Sequence, residues 1–283
     1  MSTNFKNQVN AVGAISVGVV AAFFAYDLTR NRDALPCSMY YKVATEMSLT
    51  RKGGAVLTPA ELEARVGVGE QNVQAKAQVV SGPDQSSPYV LSVTVGGNVS
   101  ADTGASFFWS PGGAGHPVSA CLSYDFQLPQ TFDFARGGRL PGLFGGTFSG
   151  LTSPNPKSMG MRLTWDERGQ AGLEGITAAA GPDKPDYDAS LRYSSPVEIP
   201  RGRWVHVEQE VSMNTPGEDN GVLRVWIDGQ LRLQATNIAW RPDDTVAIGG
   251  VWADIGYQSY GGTERQARAQ SEIKVSPPRL ALH

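Results

Sequence analysis

The sequence predicts an all-β domain, a sandwich or jelly roll, standing behind one apolar N-terminal segment. Three observations predict it. Short apolar runs recur from residue 73 onward between turn signals, which is the spacing of strands in a sandwich. Glycine (33) and proline (18) are abundant, suiting tight turns better than long helices. The segment 203–236 contains two hairpin turns, at 214–221 and at Asp228-Gly229, and therefore three consecutive antiparallel strands.

The apolar segment, residues 9–28, has no charge before Asp27, and Asn10 and Ser16 are its few polar residues. Roughly 20 apolar residues cross a bilayer, so this stretch is expected to be a transmembrane helix behind an eight-residue tail. A cleaved signal peptide fits less well: the start MSTNFKNQ is weakly basic and Phe23-Phe24-Ala25-Tyr26 is bulky where small residues would be needed. Gly13, Ala14, Gly18, Ala21 and Ala22 would let a second membrane helix approach closely. Counting positive charges alone, Lys6 and the α-amine before the span against Arg30 and Arg32 after it, slightly favours a cytoplasmic C-terminal side, but large domains translocate largely regardless of flanking charge, so the bulk of the protein is expected outside the cytoplasm.

Residues 29–72 read as a connector with one short helix. Thr58, Pro59 and Glu61 supply an N-cap, a first-turn proline and a capping-box partner ahead of Leu62 and Val66, with Gly67 as the stop. The domain proper is expected over 73–283, with strands at 89–95, 106–109, 120–128, 159–165, 204–211, 222–227, 231–235 and 245–248. Gly112-Gly113 and Gly145-Gly146 read as turns, since they lack the context of a phosphate loop.

The formal charge of −3 gives no basic field for nucleic acid. Three scattered histidines and two cysteines offer no metal cluster, and neither a metal nor a cofactor is expected. In an oxidising compartment a Cys37–Cys121 bridge would tie the connector to the β domain. The sequence alone leaves open whether the two meet.

The run Leu122-Ser123-Tyr124-Asp125-Phe126, then Gly137-Gly138-Arg139-Leu140-Pro141-Gly142-Leu143-Phe144-Gly145-Gly146, then Ser158-Met159-Gly160-Met161-Arg162-Leu163-Thr164-Trp165, resembles polysaccharide lyase family 14. The segments 203–209, 214–217, 220–221 and 225–229 resemble the second half of that family. The resemblance implies a jelly roll whose concave face binds an acidic polysaccharide such as alginate or glucuronan, and a location outside the cytoplasm. It also implies β-elimination, which needs a base for the C5 proton, a group that stabilises charge on the neighbouring carboxylate, and an acid for the leaving oxygen. By the same resemblance Tyr124, Arg139 and Ser158 are the candidate catalytic residues, and Arg162 and Trp165 the candidate substrate-binding ones.

The chain departs from the family where proton transfer is at stake. Arg139 stands at the position of a lysine, and a guanidinium that stays protonated is a poor proton shuttle. Phe144 replaces a tyrosine, and 169–176 contains no tyrosine. The sequence thus points first to a lyase-derived module without catalysis, serving as an accessory subunit of an integral-membrane complex. An envelope-bound lyase acting on a uronic-acid polymer and a non-catalytic glycan binder are the alternatives.

Overall fold

The computed structural model describes residues 35–66, 71–97, 104–112, 115–147, 157–178, 190–258, 267 and 269–283. The expected span over 9–28 lies outside the described residues. No described helix is long and apolar enough to cross a membrane.

Residues Cys37–His283 form one compact unit, an all-β sandwich of two antiparallel sheets. The strands are β1 (Thr45–Glu46), β2 (Ala77–Ser81), β3 (Tyr89–Val95), β4 (Ala105–Trp109), β5 (Ser119–Gln127), β6 (Gly138–Gly146), β7 (Ser158–Trp165) and β8 (Gln170–Ile176). After them come β9 (Ser190–Glu198), β10 (Trp204–Ser212), β11 (Gly221–Ile227), β12 (Gln230–Ile238), β13 (Ile248–Tyr257), β14 (Ser271–Val275) and β15 (Arg279–Leu282). One sheet has the order β12-β11-β10-β5-β14-β3-β2, with β15 joining β5 to β1; the other runs β4-β13-β6-β7-β8-β9.

Strand alternation decides which side chains meet between the sheets. On β7, Met159, Met161, Leu163 and Trp165 belong to the core, so Ser158, Gly160, Arg162 and Thr164 point to the outer face of the six-stranded sheet. Core residues on β10 are Val205, Val207 and Val211, which leaves His206, Glu208 and Glu210 on the outer face of the nine-stranded sheet. Strands β10, β11 and β12 form the expected antiparallel triplet.

Three expectations are corrected. Residues 37–66 and 71–72 belong to the same compact unit as the sheets, with Met47, Leu49, Leu57 and Leu62 buried in its core, because apolar side chains at these positions gain by leaving water. The helix Pro59–Val66 does begin with the capping box, Thr58 N donating to Glu61 Oε2 at 2.8 Å and Glu61 N to Thr58 Oγ1 at 3.3 Å. Gly145-Gly146 is no turn but the end of β6, and the strand expected at 245–248 lies at Ile248–Tyr257.

Cys37 and Cys121 are bonded. The bridge holds the segment after Cys37 across the outer face of the nine-stranded sheet, where Ser38 N and Oγ both donate to the Glu208 carboxylate at 2.8 Å. The same segment reaches β15 through Thr45↔Leu280 pairing.

Candidate active-site face

The outer face of the six-stranded sheet gathers charge at its centre. Arg162 on β7 is paired across to Glu174 on β8 and to Gly142 on β6, and Arg139 on β6 lies opposite Thr164. Arg139 Nη1 donates to Asp254 Oδ2 at 2.9 Å, and Arg162 Nη1 donates to the same oxygen. Arg162 Nη2 donates to Glu174 Oε2 at 2.8 Å, and the Arg192 guanidinium lies 3.4 Å from Glu174 Oε1. Three cations thus face two carboxylates. Only Arg192 is well exposed, at 68%; the Arg162 side chain is 3% exposed and that of Asp254 9%.

Burial lowers the pKa of Arg162, Asp254 opposes that shift, and neighbouring Arg139 adds to it. A buried guanidinium without an anion would be severely destabilising, so Asp254 and Glu174 are structural requirements of Arg162. Its guanidinium also stacks over Trp252, 4.3 Å from the ring centroid. Beside Trp252, Phe108 stacks at 6.2 Å and meets Phe144 edge-on at 5.0 Å. Phe108 and Phe144 are partly exposed. On the other side a groove of about 690 Å³ runs past Thr164, Gln170, Glu174, Arg192 and Tyr193.

The candidate residues separate into two groups. Arg139, Ser158 and Arg162 share the outer face, although Ser158 lies four residues along β7 from Arg162, roughly 13 Å for an extended strand. The Ser158 hydroxyl is buried, without a hydrogen-bond partner among the described residues. Tyr124 and Trp165 lie inside the sandwich instead, 2% and 1% exposed. The Tyr124 hydroxyl donates to the Pro141 carbonyl at 3.0 Å, and Gln209 Nε2 donates to the same carbonyl at 2.7 Å. Burial raises the Tyr124 pKa well above that of a free phenol. The Trp165 indole donates to the Phe134 carbonyl at 3.3 Å. On this geometry the Tyr124 hydroxyl links the two sheets, the Trp165 indole anchors the loop at Phe134, and both rings are turned into the core.

Pro141 sits where β6 slips register against β7. Its ring has no N–H to donate, and its carbonyl is turned inward to two donors from the opposite sheet. The Ser-Tyr and Leu-Pro-Gly stretches are therefore linked through this bond. The sequence of the chain between residues 84 and 275 matches the profile of Polysaccharide lyase 14.

The chain belongs to polysaccharide lyase family 14. Solved structures share the fold. The marine family 14 alginate lyase of Aplysia kurodai superposes with a TM-score of 0.60 at 21% identity, over 76% of this chain and 89% of that one. An alginate lyase from Chlorella virus gives 0.59 at 17% identity, over 73% and 90%. The endo-β-1,4-glucuronan lyase of the fungus Trichoderma reesei gives 0.53 at 13% identity, over 73% and 87%. No match was found among curated proteins.

Within that family fold, the outward positions of β4, β13, β6, β7 and β8 carry no lysine, tyrosine or histidine among the described residues. Sequence reasoning missed Asp254, Glu174 and Trp252. Asp254 did carry a signal: it is a lone charge in a run where Val251, Ala253 and Ile255 alternate toward the core.

Proposed function

We propose that the chain is a family 14 module that faces a polysaccharide but does not cleave it, acting as a membrane-tethered accessory subunit outside the cytoplasm. The observation that carries this reading is the closure of Arg139 and Arg162 onto Asp254, with no lysine, tyrosine or histidine among the described residues on the outward positions of β4, β13, β6, β7 and β8, and with the nearby carboxylates Asp254 and Glu174 already ion-paired. β-Elimination needs a base and an acid within reach of one sugar. Permanently protonated guanidinium groups fill neither role.

The Cys37–Cys121 bond supports an oxidising compartment. The apolar stretch 9–28, with its small residues, supports a tether that packs against other membrane helices. The lyase alternative has one observation in its favour: an open groove runs past Glu174 and Arg192, although Tyr193, which also borders it, pairs with Leu173 and packs its ring toward the core.

The test uses the full-length protein extracted in mild detergent, incubated with alginate and with glucuronan while ultraviolet absorbance from the unsaturated product is followed. A flat trace is expected with both polymers. Absorbance that rises with wild type would establish the lyase reading instead. Size exclusion of the same extract, with mass spectrometry, should show a stoichiometric membrane partner; a solitary protein would remove the accessory role.

A further inference from the structure

The strap that follows Cys37 across the outer face of the nine-stranded sheet carries apolar side chains in water. Met39 is 69% exposed, Val43 80% and Tyr40 38%. A mostly apolar groove of about 520 Å³ runs between Tyr40, Tyr41 and Val43 of the strap and Leu282 and His283 at the end of β15. Val118, also exposed, borders it, its N–H donating to the His283 carbonyl at 2.9 Å.

The strap is pinned where it lies. The Cys37–Cys121 bond and the two hydrogen bonds from Ser38 to Glu208 fix its start, and the pairing of β1 with β15 fixes its end. Tyr40 N and Tyr41 N both donate to the Cys37 carbonyl, at 3.1 and 3.0 Å. Tyr41 packs on a small cluster of Trp226, Ala281 and the disulfide. Contiguous exposed apolar side chains mark interaction surfaces, and a surface ordered in advance loses little freedom on docking.

The chain itself limits what can cover this surface. Cys37 stands nine residues after Leu28, the end of the apolar stretch 9–28, and nine residues reach at most about 30 Å. With that stretch across a bilayer, the strap stays within reach of the lipid surface. Its composition suits that surface: tyrosines favour the headgroup level, and the side chains lining the groove include Lys42 and no Asp or Glu, which fits anionic headgroups. Resting on the reading of 9–28 as a membrane tether, we infer that the strap is a second membrane contact, with Met39, Tyr40 and Val43 set into the headgroup region of the bilayer. The sandwich then lies on its nine-stranded side, and the arginine face of the six-stranded sheet looks away from the membrane.

The experiment places a bimane fluorophore on Val43→Cys or, as control, on Glu167→Cys in the exposed turn between β7 and β8, the two native cysteines being bonded to each other. The full-length protein is reconstituted into vesicles of phosphatidylcholine and phosphatidylglycerol. Lipid carrying a doxyl quencher near the headgroup should quench the label at 43 and not that at 167, and iodide should do the reverse. Met39→Asp in the protein labelled at 43 should weaken the quenching by lipid; unchanged quenching would mean that the label itself seeks the lipid, and would overturn the inference. Equal quenching of both labels by iodide, in protein that stays with the vesicles through alkaline carbonate, would overturn the strap contact and leave the tether in place. A label at 43 shielded from both quenchers would also overturn it, since protein and not lipid then covers the strap. Release of the protein by carbonate would overturn the tether and this inference with it.

Discussion

His206 sits on the face opposite the arginines, held at both ring nitrogens. Nδ1 lies 2.8 Å from Asp125 Oδ1 and Nε2 3.1 Å from Glu208 Oε1. Both contacts are donated when the ring is an imidazolium. The hydrogen bond to Asp125 and then that to Glu208 raise its pKa from 6.5 to about 9, against the smaller opposing effect of burial. Burial pushes Glu208 upward, but the hydrogen bonds from His206 and Ser38 outweigh it and leave its pKa lowered. Because the folded pKa of His206 lies above the unfolded one, the imidazolium stabilises the fold fully below about pH 6.5, and that contribution disappears as pH rises through about 9. The urea midpoint should therefore fall between these pH values, and His206→Gln should flatten the fall. A wild-type midpoint constant over that interval would show that the two carboxylates do not bind the ring more tightly in the folded state. At this scale the sequence was legible only in outline. It placed His206 within an expected strand at 204–211, yet its partners come from β5 and from two residues along β10, and nothing local in 204–211 announces Asp125.

At the scale of the element, β6 explains why the glycine-rich stretch persists when proton-transfer groups do not. Gly137 is held at φ +85°, a conformation that costs other residues energy. A side-chain carbon at Gly138 would lie 2.0 Å from the Trp165 ring. Gly138→Ala should therefore cost about 1–3 kcal/mol through overpacking, seen as a lower thermal midpoint. Gly53→Ala, where nothing lies within 4 Å, should change the midpoint little. Equal midpoints in the two variants would mean that Trp165 moves aside freely. This strand also marks the limit of pattern reading. Its glycines and proline look like turn residues, and only the neighbours that press on them, Trp165 across β7 and Tyr124 with Gln209 from the other sheet, turn them into requirements of a central strand. By contrast β10 to β12 were legible because alternation and hairpin residues are local properties. The capping box at Thr58 was legible for the same reason, whereas the burial of the helix that follows depends on strands far away in the chain.

The whole molecule assigns its two outer faces to different work. One face carries the arginine–carboxylate network and the aromatic group. The other carries the disulfide, the Ser38–Glu208 contacts and the pairing of β1 with β15. Between them lies one shared core containing residues of both sheets, so stability is expected to be common to the whole sandwich. The bridge closes a loop spanning 84 residues, and cross-links of that kind stabilise mainly by restricting the unfolded chain, typically by about 2–4 kcal/mol. Replacing both cysteines with serine should therefore lower the urea midpoint by a corresponding amount without rearranging β6, β7 or β13. The near-ultraviolet circular dichroism of the variant, measured below its unfolding transition, should stay close to that of wild type, since distant sites with no shared partners act independently. A variant that keeps its stability but loses that near-ultraviolet signal would reverse this division, because it would make the strap beside Cys37 part of what holds the aromatic side chains of the sandwich in place.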